Sequence, residues 1–269
     1  MNRKYLNLRW WQEALIPRAR ALRARIGFKP KVIDKTVEGV SFKFFVSSPV
    51  AAAWYGDSGS DSSIEMRFVR DRMVRPGAKV IECGAHHGCN TIMLSRWVGD
   101  GGSVYACEPM PDNIRVIERN LELNEIKNVR IVGKAMGPSF GSVRFQTRSN
   151  SAPLGNRTAR GVAVDMTTVD DLCKAEGFDP DLIKVDVEGY EVDLLEGASC
   201  ALRRRPALLV EIHPNQIGNF NKTVEQFWEL IDHRAYELWH QSHDLAAVQR
   251  ISGPIPIVSR SHIYCIPRQ

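Results

Sequence analysis

Val80-Ile-Glu-Cys-Gly-Ala-His-His-Gly88, running on into Cys89-Asn-Thr-Ile-Met-Leu94, is the stretch that decides the fold. A short apolar run reaches an acid, Glu82, and Gly-x-x-x-Gly then opens a segment with helical spacing. Glycines let a backbone turn sharply and come close to a ligand. The helix start that follows offers free N–H groups and the positive end of a dipole. The spacing is not the Gly-x-Gly-x-x-Gly of dinucleotide-binding domains, because His86 stands where the second glycine would be. An acid followed by this spacing suits a ligand with an amino group and no pyrophosphate. Taken alone, the segment also reads as an ordinary strand-to-helix turn.

Strand and helix patterns alternate on either side of this turn. Strand patterns fall at Lys79–Cys83, Ser103–Cys107, Val129–Gly133, Leu182–Val185, Ala207–Ile212 and Ser261–Ile266. Helical patterns lie near 88–98, 111–124, 167–175, 190–203 and 223–233. Such alternation predicts an α/β fold with a doubly wound, mostly parallel sheet covered on both faces. Residues 135–165 are polar and Gly/Ser-rich, and read as a meander with Val143-Arg-Phe145 as an added strand. Residues 62–75 carry helical spacing through Ile64, Phe68, Val69 and Met73. Val40–Val46 alternates apolar and polar like half of a hairpin, and Asp57–Asp61 has the composition of a loop. Residues 1–30 read as a basic amphipathic helix with Trp10 and Trp11, broken or kinked at Pro17. The organisation expected is an N-terminal helical and hairpin extension over 1–60 and an α/β domain over 61–269.

Composition narrows the classes. The 269 residues carry a net charge of +5. Residues 1–31 hold nine Lys/Arg against Glu13 alone, so the rest of the chain is net acidic. An acidic body argues against a broad nucleic-acid surface. No run approaches the roughly 20 apolar residues that span a bilayer. Arg and Lys interrupt the N-terminal apolar stretch, which argues against a secretory signal. The six cysteines are scattered with no Cys-x-x-Cys pair, so neither a zinc cluster nor a disulfide framework is expected. A cytoplasmic setting fits this usage, and the basic residues 1–31 raise peripheral contact with an anionic membrane as one option beside a helix packed on the body or an organellar presequence.

Three further segments carry chemistry. Val104-Tyr-Ala-Cys-Glu-Pro109 places Glu108 at a strand end, about twenty residues beyond Gly88, where an acid can accept hydrogen bonds from both ribose hydroxyls. Leu182-Ile-Lys-Val-Asp-Val-Glu-Gly-Tyr-Glu191 sets Lys184, Asp186 and Glu188 two apart, so that they project together at the carboxyl end of a strand. Leu208-Leu-Val-Glu-Ile-His-Pro214 does the same for Glu211 and His213. Bland readings exist for each: an exposed acid at a strand end, a lysine paired to satisfy a half-buried charge, and a structural histidine.

Together these motifs resemble the FkbM-type methyltransferase family. The resemblance is carried by Val80–Leu94, Glu108-Pro-Met-Pro-Asp-Asn113, Asn120-Leu-Glu-Leu-Asn124, Asn128–Gly137, Ile183–Glu191 with Gly197-Ala198, and Glu211-Ile-His213, and it spans residues 60–215. Glu82 stands where that family usually has Asp, and His86-His87 where Asn and a small or apolar residue are more usual. The resemblance implies a class I fold with a seven-stranded Rossmann-like sheet and S-adenosylmethionine as cofactor. It implies that Glu82, Gly84, Ala85 and Gly88 line the methionine portion, with Asn90 and Thr91 at the helix start. It places Glu108 on the ribose, Pro109, Met110, Lys134 and Ala135 around the adenine, and Asp186 beside the sulfonium. Glu65 would close the site from above. The acceptor implied is a hydroxyl of a sugar, glycolipid or natural product, met by Glu188, Glu211 and His213.

In such a transfer the cofactor carries the reactive group and the protein aligns the partners. Asp186 or His213 would act as base toward a hydroxyl, with Lys184 fixing Asp186 or lowering the acceptor pKa. A variant uses a divalent cation held by Asp186, Glu188, His213 and Asn215, although no dedicated ligand spacing favours it. Two readings from other classes remain at this level: a catalytically silent scaffold that keeps the cofactor site, and a nicotinamide oxidoreductase. The region 135–165 and the stretch 215–262 with Trp239, His240 and His243 are expected to wall the acceptor.

Overall fold

The computed structural model describes residues 27–56, 63–146 and 161–268. The N-terminal helix expected around Trp10 and Trp11, the Asp57–Asp61 loop and the Gly/Ser-rich part of the meander lie outside the described residues.

An eight-stranded sheet forms the centre, in the order β12-β11-β13-β10-β9-β3-β4-β5. Its strands are β3 (Lys79–Cys83), β4 (Ser103–Cys107), β5 (Val129–Val132), β9 (Leu182–Val185), β10 (Ala207–Ile212), β11 (Tyr236–Gln241), β12 (Gln249–Ile251) and β13 (Ser261–Pro267). From β5 across to β10 all neighbours are parallel, and β13 is antiparallel to both β10 and β11. The short edge strand β12 extends the seven expected strands to eight. Every residue of β9 and β10 is buried, as parallel strands covered on both faces require.

Strand alternation divides the core between the two faces. Ile81, Ile183, Val185, Leu208, Val210 and Ile263 point to one side, covered by α5 (Val169–Glu176), α6 (Glu191–Glu196), α7 (Ser199–Arg203) and, beyond the one-turn helix α8 (Pro214–Ile217), α9 (Val224–Glu229). Val80, Val104, Leu182, Leu209 and Tyr264 point to the other, under α2 (Ile64–Arg72) and α3 (Cys89–Val98). The hairpin β1 (Lys31–Val37) and β2 (Val40–Val46) adds Phe42, Phe44 and Val46 to this second face. Its outer edge is satisfied by α4 (Pro111–Leu123) and the residue that ends it. Phe45 N donates to Asn120 Oδ1 (2.6 Å) and Lys43 N to Asn124 Oδ1 (2.9 Å). Two asparagines one turn apart thus do the work of a missing strand.

A second, three-stranded sheet, β6 (Ala135–Met136), β8 (Gly161–Thr167) and β7 (Gly141–Gln146), sits between β5 and β9 in the chain, and contains the added strand expected around Val143. Three details depart from expectation. The helix expected over 190–203 breaks at Gly197, where a Cβ would meet the Gly137 carbonyl oxygen at 2.0 Å. Tyr236–Gln241 is a strand whose alternation is too short to stand out. Pro49–Tyr55 is a helix, α1, capped by Ser48 with proline in its first turn. Among the described residues no helix is long and apolar enough to cross a membrane.

Candidate active site

The carboxyl ends of β3, β4 and β9 meet at one cleft, and the Gly84 turn makes its floor. Gly84 has φ +89, and a Cβ there would lie 1.9 Å from the Asp186 carbonyl oxygen. Only glycine allows this approach. Gly84 N donates to Cys107 O (2.9 Å) and Asp186 N to Cys83 O (3.0 Å), so three strand ends are tied together beyond the sheet. Gly88 turns with φ 82 into α3. Glu82, Gly84, Ala85, Asn90, Glu108, Pro109, Lys134, Ala135, Asp186 and Glu188 all line the cleft. Its empty space, counted out into the open mouth, is about 930 Å³.

Glu108 is buried, and its oxygens are already aimed. Oε2 accepts from His86 N (2.9 Å), and Oε1 accepts from Met110 N (2.9 Å) and Asn113 Nδ2 (3.2 Å). Burial pushes its carboxyl up to about 7 against these donors. Glu82 is buried as well, its pKa raised by burial against the pull of Lys184, and accepts from Thr91 Oγ1 at 2.5 Å.

Lys184 lies beneath the cleft and does not line it. It pairs across the sheet with Glu82 in register. Its Nζ is 3.7 Å from Asp186 Oδ2 and 3.9 Å from Glu65 Oε1. Burial works to discharge it, but Asp186, Glu65 and Glu82 outweigh burial and hold its pKa above the usual lysine value. Burial also pushes Asp186 up to about 7, with Lys184 acting in the opposite direction.

Behind Asp186 stands a buried network. His213, at the end of β10, donates from Nδ1 to Glu191 Oε1 (2.8 Å), while its Nε2 faces Glu211 Oε1 (3.6 Å) and Glu188 Oε2 (3.7 Å). Burial would lower the His213 pKa, yet Glu191, Asp186 and Glu188 hold it at about 9. Glu211 lies opposite His262 in the β10–β13 register, and Arg260 Nη1 donates to its Oε1 (2.5 Å). Despite burial, His262, Lys184 and His213 keep the Glu211 carboxyl well below the usual range. Glu65 bridges Lys184 and His262 (3.6 Å) without lining the cleft. Of the residues considered for a cation, Asp186 and His213 group not with Glu188 and Asn215 but with Glu211, one ligand atom from each lying within 4.8 Å of the others. Lys184 and Arg260 already stand against two of these three groups.

Sequence reasoning thus picked out residues of the cleft and of the network behind it. Gly88, Thr91, Met110, Glu211 and His213 support the walls from behind rather than lining them. Trp239 does not line the cleft: it packs on Phe68 (5.4 Å) with the Arg72 guanidinium 5.2 Å over its ring, and His240 and His243 are likewise absent from the lining. Met136 and Phe145, from the 135–165 region, do line it. Residues missed were Trp54, Tyr55, Asn113 and Tyr190, which line the cleft, and Arg260 and His262 behind it. A Ser48-Pro49 helix start was the signal for the first two.

The FkbM methyltransferase domain model matches residues 82–238, more than half of the chain. A hexuronic acid methyltransferase from Haloferax volcanii is 28% identical over 114 residues, 41% of this chain and 47% of that protein. A protein-L-isoaspartate O-methyltransferase from Methanothrix thermoacetophila is 34% identical over 59 residues, 22% of this chain and 28% of that protein. The chain therefore spans less than half the length of these curated relatives. A solved SAM-dependent O-methyltransferase from Thermotoga maritima aligns with a TM-score of 0.45 at 15% identity, covering 89% of this chain and 78% of that one.

Proposed function

The chain belongs to the FkbM methyltransferase family, and from that premise we propose that it transfers the methyl group of S-adenosylmethionine to a hydroxyl oxygen of a sugar, glycolipid or natural-product acceptor. The fold is that of class I methyltransferases, with the antiparallel β13 set between parallel strands. The observation that carries the reading is one cleft in which the Gly84 floor lies between Glu108 and Asp186. A side chain at Gly84 would collide with the Asp186 backbone, so the glycine lets the ends of β3 and β9 close up beneath the cleft. The activity named for the Haloferax volcanii relative supports a sugar as acceptor.

S-adenosylmethionine, when bound, supplies an electrophilic methyl on a sulfonium. Glu108 would accept from the ribose hydroxyls, and Pro109, Lys134 and Ala135 would enclose the adenine, with Met110 behind them. Glu82, Gly84, Ala85 and Asn90 would form the methionine end, with Gly88 and Thr91 supporting it from behind. Asp186 takes the acceptor's hydroxyl proton, and its carboxyl near 7 suits a base at neutral pH. His213 is an imidazolium at that pH, so it is not the base. It and Lys184 are the buried cations that hold Asp186 in place and in its charged form.

Two expected outcomes test these roles. S-adenosylhomocysteine binding, followed by calorimetry, weakens several-fold from about pH 8 to about pH 6, because Glu108 titrates near 7 and only its carboxylate accepts from both hydroxyls. Glu108→Gln weakens binding about 10–100-fold, the value of hydrogen bonds to a charged acceptor, and flattens that dependence. Steep pH dependence retained in the variant would remove Glu108 from the role. His213→Ala lowers turnover about tenfold and moves the acid limb of kcat/KM to higher pH, since a cation that lowers the Asp186 pKa is gone. An acid limb that stays in place would contradict the assignment.

A further inference from the structure

Trp54, in the last turn of α1, lines the cleft and is 53% exposed. An indole left in water at a cleft mouth holds a large apolar face open for a ligand. The short helix that carries it is fixed at several points. Ser48 Oγ caps it at Ala51 N (3.1 Å), and Ala51 is fully buried. Lys35 Nζ donates to Tyr55 O (3.1 Å), and the Tyr55 ring packs on Phe44 (5.0 Å). Tyr55 Oη is hydrogen-bonded to His86 Nδ1 at 2.7 Å.

The histidine pair that departs from the family's usual residues continues this wall, His86 lining the cleft and His87 behind it. His86 has φ 51 and sets its ring 5.6 Å from Trp54 and 5.7 Å from Tyr55. His87 stacks on His86 at 3.9 Å and 9°, and burial pushes its pKa down to about 3, so it is a neutral backing ring. Four aromatic side chains therefore form one braced wall, and its outermost face is the indole.

We propose that this wall is the acceptor platform, and that the acceptor is a pyranose whose C–H face lies on the Trp54 indole. The inference rests on the reading of the cleft as the S-adenosylmethionine site. A pyranose presents an apolar C–H face and a rim of hydroxyls. The cleft offers both complements: the indole, and a carboxylate and a phenol at Glu188 and Tyr190. A long alkyl acceptor would make no use of these two polar groups. The pair His86-His87 then serves specificity: it stiffens the platform, which lowers the cost of ordering it when the ring binds.

The full chain loaded with S-adenosylhomocysteine is titrated with methyl β-glucopyranoside and with methyl β-glucopyranosiduronate, and bound ligand protons are read by saturation-transfer NMR. Ring C–H protons of a pyranoside saturate in the wild type. Trp54→Ala weakens the pyranoside about tenfold, as expected for one lost stacking face, while Trp54→Phe retains most of the affinity. Binding of S-adenosylhomocysteine stays within about twofold in both variants, which also shows that they fold. The proposal is overturned if Trp54→Ala binds the pyranoside as the wild type does. It is also overturned if cofactor affinity falls in step, which places Trp54 in the cofactor wall, or if neither pyranoside binds the loaded wild type. Failure of S-adenosylhomocysteine to bind the wild type overturns the cofactor reading, and this inference with it.

Discussion

Gly84→Ala is expected to weaken S-adenosylhomocysteine binding by more than about 100-fold and to cost roughly 3 kcal/mol of stability. Two effects add. The residue must hold φ +89, which an alanine adopts only at a cost of about 1–2 kcal/mol. Its Cβ would also stand 1.9 Å from a backbone oxygen, that of Asp186, and no rotamer change relieves a clash with backbone. The turn must move, and its bonds to Cys107 O and the paired Asp186–Cys83 bond transmit the shift to Glu108 and Asp186. Gly88→Ala is the control. It has a similar φ of +82, but its Cβ would meet only the Ile117 side chain at 3.4 Å. It should pay the backbone cost and keep most of its binding. Calorimetry with thermal melts on both variants checks this, and equal losses at the two positions would show that the Asp186 contact is irrelevant.

Asp186→Asn should lower kcat by about 10²–10⁴, the usual contribution of a positioned base, while cofactor affinity stays within a few-fold. The sign of the pH effect follows from the protonation state. Only the carboxylate can take the acceptor's proton, and burial holds its carboxyl near 7. In the wild type kcat/KM is therefore flat above that value and falls as pH drops through it. With S-adenosylmethionine saturating, so that Glu108 does not limit, the asparagine variant has no base to titrate there and should lose this limb in kcat/KM for the acceptor. A variant with near-normal turnover, or one that keeps the acid limb, would assign the proton transfer elsewhere.

The parts of the fold that were legible from sequence are those where a single local rule suffices. Leu182–Val185 and Ala207–Ile212 are continuous apolar runs because both sheet faces are covered. Gly84, Glu108 and Asp186 stood out because they fall together at successive strand ends, although each alone has a bland reading. The network behind them was not legible. His262 on β13, the last strand in sequence, and Arg260 just before it reach Glu211, and nothing local marks that crossing. Tyr236–Gln241 hides for a related reason, since its burial depends on β13 arriving beside it. His213 was visible as a candidate base, but its charge state depends on Glu191, twenty-two residues away in sequence. Trp54 was passed over because a short helix was read as part of a hairpin region.

The central claim is that the cleft between Glu108 and Asp186 holds S-adenosylmethionine. Isothermal titration of the wild-type chain with S-adenosylhomocysteine, and separately with NAD, tests it most directly. One site per chain with a Kd on the order of 1–100 μM for S-adenosylhomocysteine, and no heat with NAD, is the result expected. Saturable binding of NAD, or no binding of S-adenosylhomocysteine by folded protein, would contradict it.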